Sequence, residues 1–467
     1  MRRGHTDRAT RVGRIAGTLV AASVLGACGG GGSGHSLPAE GTEVRPMAVS
    51  CPSGVPSTVS CLAGQDERGA FYLIAMPDNW NGHLMLHAHG GPSLGAPTAQ
   101  RVEDDLNRWA VMVEAGYAWA GSSFRQGGVA VRAAAEDTEN LRRIFNDHVA
   151  TPARTVLHGQ SWGAGVAAKA AEMFTAETEG SAPYDGVLLT SGVLAGGTRS
   201  YDFRLDLRVV YQYLCDNHPR PDELGYSLNI GLPVASDMTR ADLRARTAEC
   251  LGLDRSASQR SAAQRDKIQV IEQVIRIPAS SIQAHLEWAT FHFQDIVSRR
   301  TSRLSPFGNT GAVYQGSDDD EALNAGVLRY QASAVAVQRF ADDADPTGQI
   351  PVPVLTTRWI DDPTAFVELD AFFKDTMTSG GSGDRLVQTF TTAGAHGYIS
   401  DVTYATLVDR LLQWVETGSK PTPAGIAARC EDLRGDFGGA CSFAPDFQPA
   451  ALETRVVPRD RVAVPSS

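Results

Sequence analysis

The sequence lacks an excess of positive charge: its 42 Lys and Arg residues are outnumbered by 53 Asp and Glu residues, for a formal net charge of −11. This balance argues against a nucleic-acid-binding surface, which needs clustered cations. Internal repeats, coiled-coil heptads and zinc-type spacings of Cys and His are also absent from the sequence, which excludes solenoids and zinc-binding domains. With 42% apolar and 20% charged residues, the composition is typical of a folded globular protein.

The apolar run at residues 15–27 is too short to span a bilayer, and it follows an arginine-rich start, as in a secretory signal peptide. The run leads into Leu-Gly-Ala-Cys at 25–28, which resembles the lipobox of bacterial lipoproteins. That resemblance implies cleavage after residue 27, acylation of Cys28 and a flexible tether over residues 28–45. A plain signal peptide cleaved nearby is the alternative.

We therefore expect an exported protein that is lipid-anchored to the bacterial cell envelope, or otherwise secreted. Gly29 follows Cys28 in place of the Asp that retains lipoproteins at the inner membrane, which favours the outer membrane or the periplasmic side. A membrane, reached through the anchor, is thus an expected partner.

The seven cysteines suit an oxidising compartment. If Cys28 is lipidated, six remain, and in sequence order they form three pairs of near neighbours. Six cysteines allow 15 connectivities, so this local pairing is a hypothesis from spacing alone. The predicted disulfides are Cys51–Cys61, Cys215–Cys250 and Cys430–Cys441.

Short apolar runs alternate with helical patterns, which predicts an α/β protein with a mostly parallel, doubly wound sheet. Predicted strands lie at 70–76, 83–87, 117–122, 155–157, 186–190, 352–357 and 386–391. Predicted helices lie at 104–114, 133–148, 164–175, 205–214, 263–274, 282–297, 365–377 and 404–417. The helical, aromatic-rich middle predicts an inserted cap. The predicted division is a signal peptide (1–27), a tether (28–45), a first core part (46–198), a cap (199–345), a second core part (346–420) and a disulfide-bearing tail (421–467).

The motif with most chemical content is Gly-Gln-Ser-Trp-Gly at 159–163, placed between a predicted strand and a small-residue helix. In that setting the flanking glycines allow a tight turn that exposes the Ser161 hydroxyl at a helix N-terminus. The helix dipole there favours developing negative charge. Ser161 is therefore the predicted nucleophile.

A serine nucleophile needs a base, and the base needs an orienting acid. His396 lies in a glycine-containing loop directly after the last predicted strand, where a general base is expected. Asp362 precedes Pro363 after the strand at 352–357, and it stands between serine and histidine in chain order. Asp361 remains the alternative acid.

Donors for an oxyanion are expected from the backbone N–H groups of Trp162 and of Gly90 or Gly91. The two glycines follow the strand at 83–87 and let the backbone approach a substrate closely. The neighbouring His89 is interpreted as a structural loop residue, and His87 as part of the core or of the site's support.

Together, His-Gly-Gly, Gly-x-Ser-x-Gly, Asp and His follow one another in the order of the α/β-hydrolase superfamily, which the chain resembles from about 68 to 418. The resemblance implies an α/β-hydrolase fold with an inserted helical cap, and a serine hydrolase that needs neither metal nor other cofactor. The sequence motifs at 89–92 and 159–163 are similar to those of proline iminopeptidase-type enzymes and secreted aminopeptidases. The ending Trp-Val-Glu-Thr-Gly at 414–418 resembles those enzymes and tannase-like esterases.

Three functions follow as hypotheses. The first is a carboxylic ester hydrolase acting on a small-molecule or oligomeric ester, with an apolar or aromatic group suggested by Trp162, Trp288, Phe291 and Phe293. The second is a serine aminopeptidase, which needs a carboxylate such as Glu287 to hold a substrate amine. The third is a non-catalytic, lipid-anchored binding protein.

Overall fold

The computed structural model describes residues 45–175 and 182–460. The predicted signal peptide and Cys28 lie outside this part of the chain. Within it, none of the helices combines the length and the apolar character that crossing a bilayer requires.

The described residues form a nine-stranded sheet in the order β1-β2-β3-β5-β4-β6-β7-β8-β9. The strands are β1 (Met47–Val49), β2 (Val59–Gln65), β3 (Phe71–Pro77), β4 (His83–Ala88), β5 (Ala118–Ser122), β6 (Arg154–Gln160), β7 (Gly186–Thr190), β8 (Val354–Trp359) and β9 (Leu386–Thr391). From β5 to β9 all neighbours are parallel, whereas β1, β2 and β3 pair antiparallel at one side. This order and these directions are those of the α/β-hydrolase fold, as predicted.

Continuous burial explains why the central strands could be predicted. Every residue of β5 and β7 is buried, as expected of parallel strands covered on both faces by helices. The sequence analysis missed β1 and β2 because they lie at the sheet edge and are largely exposed or half-buried, so they lack such apolar runs.

Helices cover the sheet and fill its connections. They are α1 (Ala99–Arg108), α2 (Ala110–Glu114), α3 (Val131–His148), α4 (Trp162–Thr175), α5 (Gly197–Ser200), α6 (Phe203–Cys215), α7 (Arg240–Leu251), α8 (Ala262–Ile275), α9 (Ala279–Glu287), α10 (Phe293–Asp295), α11 (Asp320–Gly326), α12 (Ala334–Ala344), α13 (Glu368–Ser379), α14 (Asp401–Thr417) and α15 (Pro423–Phe437). The helix predicted at 104–114 is broken at Trp109. Its fully buried indole packs against His158 and Tyr404 in the core.

Between β7 and β8 the chain is mainly helical, as expected for the cap. The segment predicted as a helix at 282–297 comprises α9, a π-helical turn (Trp288–His292), α10 and a second π-helical turn (Ile296–Arg300). π-Helical turns are frequent at functional sites.

Three disulfides join Cys51 to Cys61, Cys215 to Cys250 and Cys430 to Cys441. The last links α15, which the sequence analysis missed, to a segment that continues along the sheet edge. There Phe443 forms a β-bridge with Thr391 of β9.

Candidate active site

Ser161 occupies the turn between β6 and α4, with a backbone φ of 58°. This left-handed conformation is unfavourable for a residue with a Cβ, and such strain is concentrated at functional sites. The flanking glycines make the turn possible. A Cβ on Gly159 would lie 2.3 Å from the Gly163 carbonyl oxygen, and one on Gly163 would lie 2.1 Å from the Ala88 carbonyl oxygen.

Three side chains from distant parts of the chain form one hydrogen-bonded row. His396 Nε2 lies 2.8 Å from Ser161 Oγ, and His396 Nδ1 lies 2.7 Å from Asp362 Oδ2. Because an ionised carboxylate only accepts hydrogen bonds, Nδ1 carries the proton and Nε2 is free to accept from the serine hydroxyl. The imidazole of His396 thus joins the other two predicted residues, Ser161 and Asp362, by one hydrogen bond to each.

Of the two candidate acids, Asp362 is buried and Asp361 is exposed. Burial raises the pKa of Asp362, but the hydrogen bond and charge of His396 and the charge of Arg358 outweigh it, so the pKa lies below its ordinary value. Its second oxygen accepts from the Thr364 N–H at 2.9 Å. The geometry therefore places Asp362, not Asp361, beside the imidazole.

A buried arginine, Arg358 in β8, supports the loop that carries the acid. Its guanidinium donates to the Asp370 carboxylate at 2.5 Å, to the Ala365 carbonyl at 2.5 Å and to the Gly192 carbonyl. These bonds tie the residues after Asp362 to the turn after β7, which fixes the position of the acid relative to the sheet.

The loop after β4 carries the predicted oxyanion donors. A Cβ on Gly90 would lie 2.0 Å from Gln160 Oε1, and Gly91 has a φ of +67°, so both positions favour glycine. Arg101 Nη2 donates to the Gly90 carbonyl at 2.7 Å, which holds this peptide in place. On the other side, the Trp162 N–H belongs to the first turn of α4, where backbone donors have no intrahelical partner.

Gln160, which the sequence analysis passed over, connects the loop of Gly90 with the loop of His396. Its side chain is buried between them, and Nε2 donates to the His396 carbonyl at 2.9 Å. The available signal was its position directly before the nucleophile, at the carboxyl end of the central strand.

The other histidines near the site have structural partners. His89 stacks on Phe124 with ring centroids 4.3 Å apart, and its Nδ1 lies 3.1 Å from the Gly90 carbonyl. His87 is buried beneath it, with Nδ1 3.0 Å from His158 Nδ1. Burial, followed by the charge of Arg101, lowers the pKa of His89 to about 3, so it remains neutral.

Comparisons with known proteins find similarity in structure only. No protein-family model matches the chain, and no curated protein sequence matches it. Feruloyl esterase B from Aspergillus oryzae is 12% identical with a TM-score of 0.42, over 81% of this chain and 88% of that one. The rice cell wall degrading esterase LipA from Xanthomonas oryzae is 13% identical with a TM-score of 0.39, over 86% and 99%. The tannin acyl hydrolase from Aspergillus niger is 12% identical with a TM-score of 0.37, over 81% and 83%.

The cap helix α9 and the π-helical turn that follows it contact both loops that flank Ser161. His285 Nε2 donates to the carbonyl of Pro363, next to the acid, at 2.9 Å. His292 Nε2 donates to the carbonyl of Pro92, in the loop of Gly90 and Gly91, at 3.0 Å. These two contacts could not be predicted from local sequence pattern, because each joins residues that are far apart in the chain.

The cap aromatics separate into two groups. Trp288 and Phe291 are partly exposed, whereas Phe293 is fully buried and stacks on Phe307 with centroids 3.7 Å apart. Phe293 therefore belongs to the core of the cap and gives no support to the expected apolar or aromatic ester group.

Glu287 faces two arginines. Its carboxylate accepts from Arg240 at 2.9 Å and from Arg244 at 2.8 Å, and these bonds outweigh burial, so the pKa of Glu287 lies below its ordinary value. A carboxylate already neutralised by two guanidinium groups is a poor anchor for a substrate amine.

Proposed function

We propose that the protein is a serine hydrolase that cleaves carboxylic esters through an acyl-enzyme. The observation that carries the proposal is the hydrogen-bonded row of Ser161, His396 and Asp362 at a strained turn on the carboxyl edge of the sheet. The same arrangement of serine, histidine and acid recurs on several unrelated folds that transfer an acyl group to serine.

In the proposed mechanism His396 Nε2 accepts the Ser161 proton as Oγ attacks the ester carbonyl. The imidazolium then gives this proton to the departing alcohol, which leaves an acyl group on Oγ. A water molecule, deprotonated by the same nitrogen, then attacks the acyl group, and the bond to Oγ breaks as the imidazolium returns the proton to Ser161 and the acid leaves. Asp362 holds the imidazole in the productive tautomer and stabilises its positive charge without taking up the proton.

The negative charge of the tetrahedral intermediate needs backbone donors. We assign these to the Trp162 N–H at the N-terminus of α4 and to the N–H of Gly90 or Gly91, each contributing roughly 3 kcal/mol. The Arg101 bond to the Gly90 carbonyl keeps this peptide from turning its oxygen toward the substrate.

Ester hydrolysis is favoured over aminopeptidase activity because the carboxylate considered for the substrate amine, Glu287, is held by Arg240 and Arg244. The test is hydrolysis of p-nitrophenyl esters and aminoacyl p-nitroanilides in parallel by the form lacking residues 1–28. Turnover of the esters is expected. Turnover of the anilides alone would replace this proposal with the aminopeptidase.

Gln160→Met is expected to lower kcat about 10-fold while KM for the same ester changes less than about threefold. The substitution keeps the side-chain volume but leaves the partly buried His396 carbonyl without its donor, which costs about 1–3 kcal/mol in holding the imidazole in place. Gln65→Met, which removes a surface bond to the Gly69 carbonyl, is the matched control. An unchanged kcat in Gln160→Met would contradict this positioning role.

We further propose that Cys28 bears the lipid anchor. The three disulfides support an oxidising compartment, and the Leu-Gly-Ala-Cys motif supports lipid attachment after export. Full-length protein is expected in the detergent phase of a Triton X-114 partition, and Cys28→Ser in the aqueous phase. Wild-type protein in the aqueous phase, with an unmodified mass, would contradict the anchor.

A further inference from the structure

Arg204, in α6 of the cap, is a buried cation without an anionic partner. Its side chain is 5% exposed, and it forms no ion pair within the described residues. Nε donates to His285 Nδ1 at 3.2 Å and Nη1 to the Ser200 carbonyl at 3.2 Å, while Nη2 donates to none of the described residues. Buried charges in proteins are ordinarily paired, so this guanidinium requires an explanation.

Other buried arginines of the molecule are satisfied internally. Arg358 pairs with Asp370, and Arg459 pairs with Asp206. Arg208, one turn further along α6, lacks a carboxylate, but it donates to the carbonyls of Leu228 and Gly231. Arg204 differs from all three in having only one carbonyl and one neutral imidazole.

Aromatic rings surround the Arg204 guanidinium but do not neutralise it. Its central carbon lies 4.6 Å from the ring centroid of Trp288, 4.6 Å from that of Phe203 and 5.3 Å from that of Tyr201. Such faces attract a cation and exclude water, which strengthens the attraction for an anion that enters. Although burial lowers its pKa to about 10, Arg204 remains protonated at neutral pH.

The neighbours of Arg204 contact both loops beside the candidate active site. Because arginine can only donate, His285 Nδ1 accepts, so Nε2 carries the proton that binds the Pro363 carbonyl. Trp288 stacks on His292 with an interplanar angle of 8°, and His292 binds the Pro92 carbonyl. Arg204 thus contacts a strip of cap residues fixed to the acid loop at one end and to the oxyanion loop at the other.

No carboxylate of the described residues lies within ion-pair distance of Arg204, and the charge of Asp202 acts on it only from further away. Burial, followed by the charge of Arg204, lowers the pKa of His285 to about 3, so the imidazole is neutral. The nearby acids are already engaged: Glu287 by Arg240 and Arg244, and Asp202 by Arg459 at 4.0 Å. The cap therefore presents a guanidinium with no carboxylate in contact, joined through His285 to the loop of Asp362.

We propose that Arg204 binds a carboxylate of the substrate, so that the enzyme prefers esters bearing a free carboxylate on the acyl or the alcohol portion. A single guanidinium balances one negative charge, which suits a carboxylate better than a doubly charged phosphate, and its planar fork matches carboxylate geometry. This inference rests on the proposed ester hydrolysis and specifies its substrate class.

Matched ester pairs test the inference. For the acyl portion we compare mono-4-nitrophenyl glutarate with 4-nitrophenyl valerate, and for the alcohol portion 4-acetoxybenzoate with 4-tolyl acetate. For at least one of the two pairs, the kcat/KM of the charged ester divided by that of the neutral ester is expected to be at least 10-fold lower in Arg204→Met than in wild type. The fall is expected to be smaller in Arg204→Lys. Arg255→Met, which removes an exposed arginine of the same cap, should leave both ratios unchanged.

The inference would be overturned if, in Arg204→Met, this kcat/KM ratio stayed within threefold of the wild-type ratio for both pairs. That includes the case in which kcat/KM falls equally for the charged and the neutral ester. Binding to the wild-type protein keeps the test independent of that variant's folding. By calorimetry, 4-methylbenzoate is expected to bind at least 10-fold more tightly than 4-methylbenzamide, and equal binding or none would overturn the inference. Failure to hydrolyse any ester, with benzoate still bound selectively, would instead reject the proposed function.

Discussion

Ser161→Ala is expected to lower kcat for p-nitrophenyl ester hydrolysis by about 10⁴- to 10⁶-fold, because the oxygen that becomes acylated is removed. Residual activity above the reaction in water would come from the oxyanion donors and from substrate binding. The measurement is steady-state hydrolysis at saturating ester, with the melting temperature recorded in parallel. That temperature should change little, since alanine keeps the Cβ at a φ of 58° and removes only the hydroxyl.

Ser191→Ala is the matched control for this substitution. Ser191 is also buried in a left-handed conformation, with a φ of 45°, but its hydroxyl has no hydrogen-bond partner in the described structure. We expect kcat within about threefold of wild type. Comparable losses in Ser161→Ala and Ser191→Ala would contradict a nucleophilic role for Ser161.

Asp362→Asn is expected to lower kcat about 10⁴-fold, the second largest effect. An amide can present its NH₂ to His396 Nδ1 and so favour the tautomer whose Nε2 carries the proton, which prevents Nε2 from accepting the Ser161 proton. The fold should persist, because asparagine retains the oxygen that accepts from the Thr364 N–H. The check is kcat for an ester across neutral pH.

Asp361→Asn serves as the control, because this neighbouring carboxylate is exposed. Its kcat is expected within about threefold of wild type. If Asp361→Asn lost as much activity as Asp362→Asn, the side-chain arrangement seen here would not be the catalytic one.

The local sequence pattern was enough to predict the tight turn at Ser161, since its glycines, the preceding apolar strand and the following small-residue helix are contiguous. The choice between Asp361 and Asp362 could not be made with certainty, because it depends on which side chain turns inward after β8. The role of Gln160 was also hidden, because its partner His396 lies 236 residues away.

Cap geometry was the least predictable part. A helical pattern predicted a helix at 282–297, but hydrophobic periodicity does not reveal π-helical turns or the contacts of buried polar groups. Arg204 resembled any helical arginine in the sequence, and only the packing of Trp288 and His285 around it distinguishes it.

The central claim, that Ser161 is the nucleophile of an acyl-enzyme, is tested most directly by covalent trapping with an organophosphonate ester followed by peptide mass spectrometry. We predict a single adduct on the peptide containing Ser161, formed with time-dependent loss of esterase activity and absent from Ser161→Ala. An adduct on another residue with equal loss of activity, or no adduct under conditions in which esters are turned over, would contradict the account.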